Sequence, residues 1–175
     1  MTKKRTPGGL YETVYNMLTG LSPRSEGKTP RSWARDLIKR AGGVQKAADK
    51  AGVSKRTMER WRSGGNPTKQ NAEKLKKAQR ASRVKESRAQ KLRDSMGGGG
   101  LSVTATVTVS NDTRTRTLNL GRHLPASDAD AIIQALIDYG PEGAQAYIEY
   151  ALNTHYMDET NMNTMVVENV SSITW

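Results

Sequence analysis

The chain of 175 residues has no cysteine, which excludes disulfide staples and thiolate metal sites. Its two histidines, His123 and His155, lie far apart in sequence. Together with scattered carboxylates they show no metal-ligand spacing, so neither a metal nor any other cofactor is expected. No Ser/His/Asp arrangement stands out, and the Gly97–Gly100 run lacks the Lys-Ser/Thr of a phosphate loop. No stretch approaches the ~20 apolar residues of a membrane span. The first residues lack an apolar core and a small-residue cleavage site. The chain is therefore expected to be soluble and cytoplasmic, with no membrane partner.

Lysine is missing altogether from residues 97–175. That half holds 3 Lys+Arg against 9 Asp+Glu, a net −6, whereas residues 1–96 hold 25 against 8, a net +17. A chain split this sharply has a polyanion-binding half and a half with another task. An anionic membrane is the rival polyanion. It would require a basic helix with large apolar side chains on its other face, and the basic half has none.

Within the basic half, residues 44–63, VQKAADKAGVSKRTMERWRS, have the spacing of a helix-turn-helix. Ala47 and Ala48 are small where a second helix must approach. Gly52 sits at the turn, where positive φ is expected. Val53 is the apolar plug and Ser54 an N-cap. Met58 and Trp61, three apart, mark the buried side of the second helix. Gln45, Ser54, Lys55, Arg56, Glu59, Arg60 and Arg62 are the candidate DNA contacts, on a hydrogen-bonding edge suited to the major groove. The competing reading is an ordinary helical hairpin with a solvated charged face.

Residues 1–8 are expected to be disordered, 9–19 to form a short helix with Leu10, Val14, Met17 and Leu18 on one face flanked by Tyr11 and Tyr15, and 20–28 a loop. Thr29-Pro30 starts a helix to residue 41 that buries Trp33, Leu37 and Ile38. After the breaker at 64–67, one long helix is expected over 68–96, with 10 Lys+Arg against 3 acids from Lys69 on and a thin stripe of Leu75, Ala78, Val84 and Leu92. Two readings of it stand: a solvated connector, or a phosphate-contacting helix with Lys76 and Lys77 as candidates.

The glycines at 97–100 read as the domain boundary. Beyond them Leu101, Val103, Ala105, Val107 and Val109 alternate with Ser102, Thr104, Thr106 and Thr108, a half-buried strand. Ser110-Asn111-Asp112-Thr113 is turn chemistry, leading to a second strand at roughly 114–120. Ser127 caps a helix carrying Ile132, Ile133, Leu136 and Ile137. Pro141 opens another with Tyr147, Ile148, Ala151 and Leu152. A strand at about 164–174 closes the chain. The expected architecture is α+β: a helix-turn-helix domain over 1–67, a basic helix over 68–96, a linker over 97–100, and a ββααβ domain over 101–175. The last has modest apolar content, which favours a homodimer and paired half-sites on duplex DNA.

This order of parts resembles the terminal proteins of actinobacterial linear chromosomes and plasmids. The resemblance rests on Lys46-Ala47-Ala48, on Val53 through Trp61, on Gly99-Gly100 opening a β stretch, and on Arg122-His123-Leu124-Pro125. It covers about residues 30–175. It implies a nucleoid-associated bacterial protein that caps telomeres and offers a hydroxyl to prime DNA synthesis. Its partners would be duplex and telomeric single-stranded DNA, a telomere-associated protein and a DNA polymerase. The hydroxyl that best matches is Thr113, with Ser110 second, and the chain would be the acceptor rather than an enzyme. Against this stands the common use of Thr and Ser in turns for local backbone bonds. The alternative function is a dimeric transcriptional regulator of a plasmid or phage. A nucleic-acid-modifying enzyme is a more distant class, disfavoured by the missing metal and triad signatures.

Overall fold

The computed structural model describes residues 9–98, 100–155 and 165–175. The chain is α+β, and its contacts divide it into two units: residues 21–85, and residues 1–20 with 86–175. The expected boundaries at 67/68 and at the glycine run are thereby replaced. The disorder expected over 1–8, Gly99, and the residue at 164 lie outside the described residues.

The 21–85 unit begins with a 3-10 turn, Pro23–Glu26, followed by α2 (Pro30–Ala41), α3 (Val44–Ala51), α4 (Lys55–Ser63) and α5 (Lys69–Arg83). Thr29 caps α2 by accepting from Ser32 N, and Ser32 Oγ accepts in return from Thr29 N, with Pro30 in the first turn. Gly52 takes φ +64 between α3 and α4. Trp33, Leu37, Ala47, Ala48, Met58, Trp61, Leu75 and Ala78 form the core, with Val53 and Ile38 packed at its edge. The alanines let α4 approach α3, while α5 lies against α2 and α3. Gly27 cannot be replaced cheaply: its φ is +80, and an added Cβ would run into the Ser32 side chain. Its carbonyl accepts from Trp33 Nε1 at 3.0 Å.

The helix expected to run unbroken over 68–96 is two helices. Val84 adopts extended backbone (φ −63, ψ 124), ending α5, and α6 (Glu86–Ser95) belongs to the other unit. α5 ends where Arg83, 3% exposed, is held by Asp36 and by Ser25, contacts that a uniformly solvated rod would not make.

The second unit joins α1 (Leu10–Thr19) and α6 to β1 (Ser102–Val109), β2 (Asp112–Asn119), α7 (Leu120–His123), α8 (Ser127–Tyr139), α9 (Pro141–His155) and β3 (Met165–Thr174). The four-residue α7 has no counterpart in the expected ββααβ order. The sheet is antiparallel in the order β2-β1-β3. Tyr15, expected at a flank, is fully buried. Arg88 Nη1 donates to the carbonyls of Asn16 and Met17 at 3.1 and 3.0 Å, tying α6 to the end of α1. Asn153 clamps the start of β3 through Met165 N and O. To the modest apolar content expected of residues 101–175 the unit adds Leu10, Val14, Leu18, Ala89 and Leu92, all buried. Ser127 does not cap α8; Ala126 holds the cap position without a side-chain bond.

Of the glycine run, Gly97, Gly98 and Gly100 are described and all three are exposed. Gly97 (φ +71) donates its N–H to Leu124 O at 3.2 Å. At Gly121 a Cβ would collide with Ser95 O, and would lie 2.8 Å from Leu101 N and 3.0 Å from Gly100 N. Ser95 O and the amides of Gly100 and Leu101 therefore approach Gly121 more closely than any residue with a Cβ would permit.

Candidate nucleic-acid interface

Ser54 sets the start of α4: its Oγ accepts from Thr57 N at 3.2 Å and lies 2.9 Å from Thr57 Oγ1. The hydroxyl is committed to the cap. Met58 and Trp61, both at 0% exposure, fix which side of α4 faces inward. At about 100° per residue the opposite side is then Arg56, Glu59, Arg60 and Ser63, at spacings of three, four and seven. Arg56, Arg60 and Ser63 are exposed and Glu59 is half-buried. A concavity of about 480 Å³ lies on this side, lined by Arg56, Thr57, Glu59, Arg60 and Ser63. Guanidinium donors flank a carboxylate acceptor there, with hydroxyls beside them.

Other candidates stand apart. Lys55 is exposed at the first residue of α4, and Arg62, also exposed, lies roughly 120° around the helix from Arg56. Gln45 is exposed on α3 and donates to Asp49 Oδ1 at 2.8 Å. On α5, Lys77 is exposed, whereas Lys76 is half-buried with its Nζ 4.7 Å from the Trp33 ring centroid, a cation–π contact that ties it to the core. Two further basic residues of α5 face inward: Arg80 pairs with Glu26 at 3.3 Å and Arg83 with Asp36 at 2.7 Å. Burial alone would raise the Asp36 carboxyl. Hydrogen bonds from Gln79 and Arg83, with the charges of Arg83 and Arg40, outweigh it and hold the group below its ordinary 3.8. Ser63 and Thr57 were not among the sequence candidates. Ser63 was recoverable by carrying the Arg56 stripe two turns on.

The hydroxyl candidates are in the other unit. The turn is two residues, Ser110 and Asn111, closed by the pair Val109↔Asp112. Ser110 takes φ +55. Thr113 is therefore not at the tip as expected; it is an exposed residue of β2, opposite Thr108. Cross-strand pairs Thr104↔Thr117, Thr106↔Thr115 and Thr108↔Thr113 line one face, and two of them are hydrogen-bonded at 2.9 and 2.8 Å. The opposite face carries Val103, Ala105, Val107 and Leu118 under the helices. Thr108 Oγ1 also donates to Glu168 Oε1 of β3 at 2.8 Å. Nothing in the local sequence marks Glu168, because it reaches Thr108 from sixty residues away.

In the same unit Tyr147 Oη donates to buried Asp128 at 2.9 Å; burial, then the bond and charge of Asp128, raise the phenol above its ordinary range. His155 Nε2 lies 3.7 Å from Asp128 Oδ2, beyond hydrogen-bond reach. Among the described residues no group of three His, Asp or Glu side chains could hold a metal, and no helix is long and apolar enough to cross a membrane. No protein-family model, curated protein or solved structure matches the chain.

Proposed function

We propose that the chain is a DNA-binding protein whose 21–85 unit reads duplex DNA with α4. One observation carries this reading: a stripe of exposed Arg56, Arg60 and Ser63 with half-buried Glu59 stands opposite two fully buried side chains on a short, capped helix. It belongs to a unit with 19 Lys+Arg against 5 Asp+Glu, a net +14. Set in the major groove, arginine addresses guanine O6 and N7 and a carboxylate accepts from cytosine N4. Lys55, Arg62 and Lys77 would meet phosphates and fix orientation.

The resemblance to terminal proteins gives the specific form. The chain would attach to the ends of a linear replicon in the bacterial nucleoid, with a telomere-associated protein and a DNA polymerase as partners. Thr113 would be the acceptor hydroxyl, and the chain would not be the polymerase. An exposed hydroxyl on the edge strand β2 supports this, since an edge is open to an incoming active site. A homodimer stays part of the reading as a match to paired half-sites. A transcriptional regulator is the second reading; the α4 stripe favours it equally, and it makes no use of Thr113.

Incorporation of labelled deoxynucleotide onto the purified chain, in extract of its host with terminal DNA, separates the two. Wild-type protein is expected to be labelled at Thr113. Thr113→Val should abolish labelling while duplex binding is kept and stability changes by about 1 kcal/mol or less. Labelling that shifts to Ser110 would move the acceptor. Wild-type protein that is never labelled leaves the regulator.

A further inference from the structure

Two residues of β3 have no register partner on β1. Pairing steps from Val107↔Val167 to Thr106↔Asn169, and from Ala105↔Val170 to Thr104↔Ser172, so Glu168 and Ser171 are the extra residues of two β-bulges. Bulges re-aim side chains and gather beside functional sites. Both side chains turn back to β1: Ser171 Oγ donates to Thr104 O at 2.9 Å, and Glu168 Oε1 accepts from Thr108 Oγ1 at 2.8 Å.

The direction of the next bond follows. An ionised carboxylate only accepts, so the single hydroxyl proton of Thr108 goes to Glu168. Thr108 Oγ1 and Thr113 Oγ1 are 2.8 Å apart, and Thr113 must then be the donor between them. The result is a directed chain, Thr113 to Thr108 to Glu168, in which a charged acceptor polarises both hydroxyls. The other charged residues of the strands, Asp112, Arg114 and Arg116, pair with Val109, Val107 and Ala105, so they belong to the opposite face. Of the remaining elements against β3, β1 has no charged residue, and α1 and α9 carry Glu12, Glu142, Glu149 and His155 on the helices that cover the apolar face.

We propose that Glu168 is a positioning residue for the Thr113 hydroxyl: through Thr108 it orients that hydroxyl and receives its proton when a nucleotide is attached. The proposal rests on the reading of Thr113 as acceptor. In the step, Thr113 Oγ attacks the α-phosphorus of a deoxynucleoside triphosphate held by the polymerase. The Oγ–P bond forms, and the bond to pyrophosphate breaks, its electron pair leaving with pyrophosphate. The Thr113 proton passes to Thr108, whose own proton passes to the Glu168 carboxylate. Nothing is oxidised or reduced.

The test uses the full chain, α-labelled deoxynucleoside triphosphate and host extract with terminal DNA, with labelling rates measured across pH. Glu168→Gln should slow labelling at Thr113 by about 100-fold, the lower end of the range for positioned proton acceptors, and remove the acidic limb of the pH profile. Thr108→Val should do the same, and Thr108→Ser should restore most of the rate. A purely structural role for Thr108 predicts the reverse order, since valine suits a strand better than serine. If wild-type protein is labelled at Thr113 while Glu168→Gln and Thr108→Val match it in rate and pH profile, the relay is refuted and the acceptor reading stands. If wild-type protein is never labelled, both fall together.

Discussion

Arg80 and Arg83 sit among the basic residues of α5, for which charge left connector and phosphate contact both open, yet both are buried in ion pairs with Glu26 and Asp36. They hold the 3-10 turn and α2 against α5. Asp36 gives this arrangement a pH signature. Its carboxyl is lowered in the folded chain, so the stabilisation is fully present above the ordinary 3.8 and is lost as pH falls through the folded value. Thermal melts from pH 7 down to pH 2 should show wild-type protein losing stability below about pH 4 more steeply than Asp36→Asn. Parallel curves would mean the pair contributes nothing. Trp61 is the matching apolar case. It is fully buried, and its Nε1 makes no hydrogen bond among the described residues. Trp61→Ala should cost roughly 3–5 kcal/mol in denaturant unfolding. A change below about 1 kcal/mol would contradict the burial of α4's inner side.

At the scale of elements, the glycine run shows how composition misleads. Four consecutive glycines read as a linker, but the tight contact is at Gly121, where backbone from three residues crowds the missing Cβ. Gly121→Ala should destabilise by about 1–3 kcal/mol, while Gly98→Ala, with only Asp94 O at 4.0 Å, should stay within about 0.5 kcal/mol. Equal and small effects in chemical denaturation would contradict the close approach at Gly121. Local signals were readable throughout: Thr29-Pro30 at a helix start, Gly52 and Ser54 around a turn, and the alternation from Val103 to Val107. Each depends on neighbours within a few residues. The break at Val84, the assignment of α1, and the reach of Glu168 to Thr108 depend on partners some 50 to 130 positions away. No periodicity carries that information.

For the whole molecule, charge and structure cut the chain differently. The sequence divides near residue 96, whereas the folded chain divides at 20/21 and 85/86. The 21–85 unit keeps a net +14 and leaves the remainder at −3, so the electrostatic asymmetry survives the new boundaries. The candidate site narrows in the same way. Of the residues named from sequence, Arg56, Glu59 and Arg60 come together on one face; Gln45, Ser54 and Lys76 are engaged locally; Thr113 moves from turn to strand. The central claim is that α4's outer face reads sequence while the rest of the basic surface supplies affinity. Selection of bound duplexes from a random library, with full-length wild-type protein and an Arg56→Ala/Glu59→Ala/Arg60→Ala variant, tests it most directly. Wild-type protein should enrich a defined motif, preferred by about 1–3 kcal/mol per contacted base pair, with affinity that falls steeply as salt rises. The variant should still bind duplex DNA but enrich nothing. Enrichment of the same motif by the variant, or no motif from wild-type protein, would contradict the account.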